Sequence, residues 1–402
     1  MRCVGKLAGL GLALALLAGC GQPPSAEGDW TGVVGPEVLA KASLEYYWKS
    51  QLPLEQAEQV RQIWRLDENI YALTSSNRLL AVDAVRGRYK WCYELPGPAQ
   101  KVFAPCHADD VLLPEAGGIA ALLNPPDLAR VTPFKGVIIN TGSYALLFNR
   151  DTGGLMRKLD FDFAVTSPGS SDGLRFYVGS VKGWYHAVRL SEGLNDWTMS
   201  TGDMISARPV LFKGRLYVGS QDGNLYAVNP QASANRRLWL ERTDGPITAD
   251  FAVDARGCFV GSHDYRLYAY DLLTGAQLWA FRAQGPLRQP VQLGTRSLFL
   301  CADKDRFYAV DVASGRKRWD LPDGRVVVAA AEPHVFVLNA GRQLLMVNES
   351  LGQVELSLPM NGLDLFVANA DKPVIFAGAA DGKLACIRPV SEEKLTEFML
   401  KD

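Results

Sequence analysis

The chain has almost no excess of charge of either sign, and this excludes one large class of partners. Its 402 residues contain 42 Lys and Arg against 43 Asp and Glu. The segment 1–19 holds two bases, Arg2 and Lys6, and no acids, so the remainder carries 40 bases against 43 acids. Nucleic-acid-binding domains need a basic surface. The sequence therefore predicts no nucleic-acid partner.

Histidine is scarce, and the four present form no metal-binding or catalytic pattern. No two of them lie two or four positions apart, and each falls in a different part of the chain: His107, His186, His263 and His334. His263 stands in a Ser-His-Asp sequence, but Gln221 occupies the same turn position in the neighbouring unit, which indicates a loop residue. The sequence predicts no metal site, no cofactor and no catalytic residue set.

Cysteine usage gives no disulfide framework. Five cysteines follow Cys20: Cys92, Cys106, Cys258, Cys301 and Cys386. An odd number cannot all pair, and none has CxxC or metal-ligand spacing. The last three occupy small or apolar strand positions, which favours buried thiols. Cys92 and Cys106 lie on neighbouring predicted strands, so a bridge between them stays open.

A unit with the length of a propeller blade, about 40 residues, recurs along the chain and predicts the fold. One column of the repeat is occupied by Asp83, Asn149, Arg189, Asn229, Asp271, Asp311, Asn348 and Arg388. Apart from the first, the intervals between these positions are nearly equal. Each unit contains four short runs with the period-2 alternation of half-buried strands, separated by turn signals such as Asp-Gly at 222–223. This pattern predicts an all-β propeller with four-stranded antiparallel blades.

The long interval between Asp83 and Asn149 leaves the number of blades ambiguous. It exceeds one repeat by more than half a repeat, and the segment 110–127 also aligns with part of the blade pattern. Because this surplus is too short for four strands, we expect eight blades with an irregular second blade rather than nine. The surplus near 125–135 is then a loop, and such loops often carry function.

The N-terminal segment, up to Cys20, predicts export and a lipid anchor. A basic start precedes an apolar run, Leu7 to Leu17, that is too short to span a bilayer. The ending Leu17-Ala18-Gly19-Cys20 resembles the bacterial lipobox, in which the cysteine is lipid-modified after cleavage. We expect a signal peptide over 1–19, lipid attachment at Cys20, a tether over 20–42 and a propeller over 43–402. The alternative is secretion with Cys20 in a disulfide.

The third and fourth strands of the repeat follow the pattern A-x-D-x-x-T-G-x-x-x-W, as in Ala269, Asp271, Thr274, Gly275 and Trp279. This pattern resembles the tryptophan-docking motif of pyrroloquinoline-quinone-type propeller repeats. Such repeats occur in quinoprotein dehydrogenases and in the propeller lipoprotein of the outer-membrane barrel assembly machinery. The motif is structural, since the indole fills the gap between blades and its N–H finds a carbonyl. Six tryptophans occupy this position: Trp48, Trp91, Trp197, Trp239, Trp279 and Trp319.

The first of these tryptophans predicts how the ring closes. The last repeat, residues 381–390, lacks a tryptophan strand, whereas the segment around Trp48 resembles a fourth strand without its three predecessors. We therefore expect the N-terminal strand to complete the C-terminal blade, which leaves no exposed sheet edge.

Polar residues on otherwise apolar first strands mark a candidate binding rim. Because first strands line the central channel of a propeller, these side chains could form a funnel: Ser167, Arg208, Asp250, Arg288 and Gln289. The alternative is that they only hydrate the channel mouth. In either case we expect them to contribute little to packing.

Three functions stay open at this point. The lipobox, the missing catalytic groups and the resemblance favour a non-catalytic scaffold that binds an envelope protein. Gly21 differs from the Asp of an inner-membrane retention signal, so the outer membrane facing the periplasm is favoured. An envelope sensor or carbohydrate-binding propeller is the alternative. A quinone-dependent dehydrogenase is less favoured, because the adjacent Cys-Cys pair of that family is missing here.

Overall fold

The computed structural model describes residues 28–97, 100–113, 132–303 and 306–401. The predicted signal peptide and Cys20 lie outside these residues. The described chain forms eight four-stranded sheets, and all neighbouring strands within them are antiparallel. No helix of this part is long and apolar enough to cross a membrane. The prediction of an eight-bladed β-propeller is confirmed.

Seven blades take their four strands consecutively from the chain. Blades 1 and 2 are β2 (Val60–Leu66), β3 (Asn69–Thr74), β4 (Arg78–Asp83), β5 (Tyr89–Glu94), and β6 (Cys106–Val111), β7 (Phe134–Asn140), β8 (Tyr144–Asn149), β9 (Leu155–Asp160). Blades 3 and 4 are β10 (Ser170–Ser171), β11 (Arg175–Gly179), β12 (Trp184–Arg189), β13 (Asn195–Ser200), and β14 (Val210–Phe212), β15 (Arg215–Gly219), β16 (Asn224–Val228), β17 (Arg237–Arg242).

Blades 5 to 7 follow the same order. They are β18 (Ala252–Asp254), β19 (Gly257–Gly261), β20 (Arg266–Tyr270), β21 (Gln277–Arg282); β22 (Gln292–Leu293), β23 (Ser297–Cys301), β24 (Phe307–Asp311), β25 (Lys317–Leu321); and β26 (Gly324–Ala331), β27 (His334–Asn339), β28 (Gln343–Asn348), β29 (Val354–Pro359). The second and third strands of each blade are largely buried, and the outer fourth strands are less buried.

Blade 8 joins the two ends of the chain. Its first three strands are β30 (Leu365–Phe366), β31 (Ile375–Gly378) and β32 (Lys383–Pro389), and its fourth is β1 (Leu44–Gln51). Strand β1 pairs with β32 from Leu44 opposite Pro389 to Gln51 opposite Lys383. The N-terminal strand therefore closes the ring, as the position of Trp48 predicts.

Blade 2 is irregular in the way that the long repeat interval predicts. Strand β6 ends at Val111 and β7 begins at Phe134, so the surplus residues lie between its first two strands. Residues 125–131 of the predicted loop lie outside the described residues. Cys106, on β6, is a buried thiol outside any disulfide, so the bridge to Cys92 that the sequence left open is not formed.

Tryptophan side chains join neighbouring blades at six of the eight junctions of the described chain. At six junctions the indole N–H donates to the carbonyl of the residue that follows the Asp/Asn column in the next blade, at 2.7–3.2 Å: Trp48 to Ala84, Trp91 to Arg150, Trp197 to Pro230, Trp239 to Leu272, Trp279 to Val312 and Trp319 to Glu349. In blades 2 and 7 the tryptophan position of the register is occupied by Arg157, opposite Leu147, and by Leu356, opposite Met346.

The turn that receives the indole needs a residue without a side chain. Gly87 has φ +68°, and a Cβ placed on it would lie 2.6 Å from ring carbons of Trp48. The carboxylate of Asp83 accepts the N–H groups of Val85 and Arg86 in the same turn, at 2.8 and 2.9 Å. The Asp and Gly of the repeat therefore shape the surface on which the preceding blade's tryptophan packs.

Residues 28–42 of the expected tether are packed on the propeller. They include the short helix α1 (Pro36–Ala40), in which Leu39 is fully buried. The Val34 N–H donates to the Asn361 carbonyl at 2.9 Å, and the Tyr46 hydroxyl donates to the Val34 carbonyl at 2.7 Å. This part of the segment thus extends the domain rather than acting as a flexible linker. A second short helix, α2 (Glu397–Leu400), lies at the other end of the chain.

Replacing Trp48 by Ala should lower the free energy of unfolding by about 3 kcal/mol, because the substitution removes the indole that joins blade 8 to blade 1. Urea unfolding measures this change. Trp184→Ala is the matched control, since Trp184 is 43% exposed and lies outside the docking column; it should cost less than about 0.5 kcal/mol. Equal effects of the two substitutions would contradict closure through Trp48.

Candidate functional site

The loops of the propeller divide between two faces. We define the upper face as the turns between second and third strands together with the loops that lead from one blade to the next. The lower face carries the remaining turns. The predicted funnel residues lie in the blade-to-blade loops, at the start of the inner strands. The upper face is therefore where a site built from them would open.

Ser167 does not offer its side chain to this face. It is fully buried, and its hydroxyl accepts the Gly179 N–H at 2.8 Å. Its carbonyl accepts the side-chain amide of Asn140, in blade 2, at 3.1 Å. Ser167 joins the start of blade 3 to its neighbours, and we leave it out of the candidate binding rim.

Arg208 crosses the inner strands of several blades. Its guanidinium donates to the carbonyls of Ala104 and Pro105, before blade 2, at 3.0 and 3.2 Å, and to that of Gly169, before blade 3, at 2.9 Å. Its backbone N–H donates to the carboxylate of Asp250, before blade 5, at 2.6 Å. The expectation that the funnel residues contribute little to packing is wrong for this pair, because the contacts connect four blades.

Similar bonds continue around the centre of the ring. The Asp250 carbonyl accepts the Val291 N–H at 3.2 Å. The Gln292 side chain both donates to the Val327 carbonyl, at 2.8 Å, and accepts the Val327 N–H, at 2.9 Å. The Val327 carbonyl also accepts the Asn369 N–H at 2.9 Å. Polar groups near the channel thus serve largely to hold blades together.

Arg288 and Gln289 are placed differently, since both are exposed on the upper face. Arg288 forms an ion pair with Asp303 at 3.3 Å. Gln289 lines a cavity of about 390 Å³ together with Cys301, Asp303 and Arg325. The structure therefore separates the predicted funnel residues into a group that joins blades and a group that faces solvent.

The histidines lie apart, as their spacing indicates. His186 stacks on Phe163 with ring centroids 3.5 Å apart, the Thr248 hydroxyl lies 2.8 Å from His263, and His334 pairs with Glu355 at 2.8 Å. Within the described residues no two of the four share a site. They offer no catalytic pair in this part of the chain.

A polar cluster between blades 1 and 2 has no counterpart in the sequence analysis. His107 Nδ1 lies 2.7 Å from the Asp67 carboxylate, and Nε2 lies 3.0 Å from the Tyr71 hydroxyl. Burial lowers the pKa of His107, so the neutral ring can donate from Nδ1 and accept at Nε2. The turn residues Asp67 and Glu68 belong to no repeat motif, which is why the pattern did not reveal them.

This cluster is well satisfied without a ligand. One ligand atom each of Asp67, Glu68 and His107 lies within 4.8 Å of the others, a spacing that a metal ion could use. Both ring nitrogens of His107 are already engaged, and the buried Arg150 guanidinium lies 3.4 Å from Glu68. Burial raises the pKa of the adjacent Cys106 thiol to about 11, so it is not a thiolate at neutral pH. The cluster fits an inter-blade contact better than a metal or nucleophile site.

The upper face also carries an apolar surface over blades 2 to 4. A cavity of about 450 Å³ is lined by loop residues that include Phe103, Val165 and Met204. The neighbouring turn of blade 3 holds Val181 and Trp184, which are 47% and 43% exposed. This turn is joined to the cavity's loops by the bond from the Val181 N–H to the Ala164 carbonyl, at 3.0 Å. We call Phe103, Val165, Val181, Trp184 and Met204 the apolar surface.

The blades, the tryptophan junctions and the Asp-Gly turns together define a propeller of the pyrroloquinoline-quinone repeat class. Residues 231–397 match the sequence model of a family described as outer membrane protein assembly factor BamB. The chain is thus a propeller similar to this assembly factor, and the predicted resemblance is confirmed.

Solved structures agree with this fold. The crystal structure of BamB from Moraxella catarrhalis superposes with a TM-score of 0.64 and 15% identity, over 88% of this chain and 99% of that one. The computationally designed Ika8 protein superposes with a TM-score of 0.60 and 14% identity, over 83% of this chain and 97% of its own. No curated protein matches the chain. At these identities the likeness establishes the fold alone.

Replacing Arg208 by Ala should lower the free energy of unfolding by about 2 kcal/mol, because three carbonyls lose a charged donor. Chemical denaturation measures the loss. Arg288→Ala is the control, since it removes an exposed arginine with one ion pair, and it should change stability by less than about 0.5 kcal/mol. If Arg208→Ala is as mild as the control, Arg208 does not hold the blades together.

Proposed function

We propose that the chain is a lipid-anchored, non-catalytic scaffold of the cell envelope that binds a protein partner, in the manner of an outer-membrane assembly factor. The observation that carries this proposal is the apolar surface. Its side chains come from loops of three successive blades: Val181 and Trp184 are exposed, Met204 is half-buried, and Phe103 and Val165 are buried in the lining of the cavity. Apolar side chains that cluster on a solvent-facing surface often mark protein interaction sites.

The structure also explains why the centre of the ring is a weaker candidate. Arg208, Asp250 and Gln292 are engaged in bonds between blades, so their polar groups are not available to a ligand without loss of those bonds. The quinone-dependent dehydrogenase hypothesis needs a cofactor funnel with an adjacent cysteine pair, and the sequence has no such pair. The resemblance to the assembly factor supports the scaffold at the level of the family.

Anchoring through Cys20 belongs to the same proposal. It rests on the lipobox-like ending Leu17 to Cys20, and it would hold the propeller at the outer membrane on the periplasmic side. Mass spectrometry of the mature N-terminus tests it, because an unmodified residue there would exclude the anchor.

A glycan ligand is the second candidate. Trp184 and Tyr265, on upper-face turns of blades 3 and 5, are 43% and 42% exposed. Exposed aromatic rings combine an apolar face with a polar edge, which suits stacking on sugars. This hypothesis places the ligand on single rings rather than on the whole apolar surface, so the two proposals predict different effects of mutating Met204.

A photo-crosslinking residue at position 181 in cells should capture an envelope protein, because Val181 lies on the apolar surface. The same residue at position 194 is the control, since Leu194 is 67% exposed on the lower face. Adding Met204→Glu should reduce the crosslink from position 181 at least tenfold by placing a charge in the contact. Mass spectrometry identifies the captured protein.

The crosslinking experiment can also reject the scaffold proposal. Equal capture from positions 181 and 194, or capture that Met204→Glu leaves unchanged, would reject the apolar surface as the docking site. Retention on immobilised glycan that is lost in Trp184→Ala but kept in Met204→Glu would favour the carbohydrate hypothesis instead.

A further inference from the structure

A second site on the upper face lies over blades 5 to 7, away from the apolar surface. The cavity of about 390 Å³ there is lined by Gln289, Cys301, Asp303 and Arg325, with Ala302 and Val326. The residues come from the loop before blade 6, the turn after β23 and the start of β26. Three chain segments thus converge on one polar cavity.

Two of the lining side chains have hydrogen-bond donors that no described residue accepts. Within the described residues the Arg325 guanidinium bonds to the Gly324 carbonyl alone, at 2.9 Å, and has no carboxylate partner. The Gln289 amide is exposed and forms no hydrogen bond within that part of the chain. Arginine presents paired N–H groups in a planar fork that matches a carboxylate. The cavity is therefore equipped to bind an anion.

The charges of the cavity select the kind of anion. Arg325 and Asp303 are the charged side chains among the described lining residues, and Asp303 is already paired, at 3.3 Å, with Arg288, which lies outside the lining. Among the described residues this leaves the single positive charge of Arg325 without a partner, and one carboxylate matches it. A phosphate group carries close to two negative charges at neutral pH and would be left partly uncompensated beside Asp303.

The remaining lining residues make one part of the cavity wall apolar. Ala302 is buried, and Cys301 and Val326 are half-buried. A carboxylate that enters beside them can place an alkyl group against these side chains while its oxygens face Arg325 and Gln289. This combination fits the end of a peptide, or an acidic side chain of one, better than a small inorganic ion.

We propose that this cavity binds a carboxylate of a partner peptide, with Arg325 as the principal donor and Gln289 as the second. The carboxylate belongs to an extended peptide. Either the C-terminus of the peptide or a Glu side chain can supply it. The site does not depend on the apolar surface, so the two can be tested separately.

Cys301 provides a native reporter inside the cavity. It retains its thiol and is half-buried, whereas Cys106, Cys258 and Cys386 are buried. The full chain can therefore be alkylated with N-ethylmaleimide, and the rate at Cys301 can be followed by mass spectrometry of the peptide that contains it. The Cys301→Ser variant verifies the assignment.

Three acetylated alanine peptides serve as probes: one with a free C-terminal carboxylate, the same peptide with a C-terminal amide, and an amidated peptide with one internal Glu. We expect a carboxylate-bearing peptide to slow alkylation of Cys301, and the fully amidated peptide to have no effect. Protection by the first peptide alone identifies a C-terminus as the ligand, and protection by the third alone identifies an acidic side chain.

Arg325→Gln should raise the peptide concentration needed for half-protection about tenfold, the scale of one lost charge-assisted bond. Gln289→Ala should raise it less. Arg282→Ala is the matched control, because Arg282 is an exposed arginine at the upper end of β21, outside the cavity. It should leave protection unchanged, and all three variants should unfold at the temperature of the unmodified protein.

Three outcomes would overturn the proposal. The first is equal protection by the amidated and carboxylate peptides, or protection by neither. The second is an equal loss in Arg325→Gln and Arg282→Ala. The third is stronger protection by inorganic phosphate than by a carboxylate peptide, which would contradict the charge argument. None of these outcomes bears on the crosslink from position 181.

Discussion

The contact between a tryptophan and the turn of the next blade is the constraint on which the rest of this structure depends. Each indole donates to a backbone carbonyl one residue after the Asp/Asn column, and where the turn carries a glycine the ring covers it, as Trp279 does with Val312 and Gly315. Because the contact always runs from one blade to its successor, it converts a repeated sequence into a ring. The motif residues therefore specify a junction rather than a blade.

The same contact also explains how the ring closes. The C-terminal repeat has no tryptophan strand, so an indole at the junction between the last blade and the first has to come from another part of the chain. Strand β1 supplies it, since Trp48 reaches the Ala84 carbonyl at 2.9 Å. Near the channel, Arg208, Asp250 and Gln292 join the inner strands of different blades. Contacts near the channel and at the periphery thus both hold the ring together.

The sequence predicted the parts of the protein that repeat and missed the parts that do not. Eight blades, the tryptophan column and closure by β1 all follow from one recurring pattern. The roles of Arg208 and Ser167 could not be read from their columns, because alignment shows that a residue is polar and not which carbonyl of another blade it meets. The cluster of Asp67, Tyr71 and His107 was missed for the same reason: it joins a turn of one blade to the first strand of the next. Packing of residues 28–42 on the propeller was hidden by their Gly- and Pro-rich composition.

Hydrogen exchange of the indole N–H groups, followed by NMR on the chain labelled at tryptophan, tests directly whether the docking tryptophans hold the blade junctions. We expect slow exchange for the six docking tryptophans, including Trp48, because their N–H groups are bonded at the blade junctions. Trp184, which is 43% exposed and lies outside the docking column, should exchange rapidly. Exchange at Trp48 as fast as at Trp184, with the other five protected, would contradict closure of the ring by the N-terminal strand.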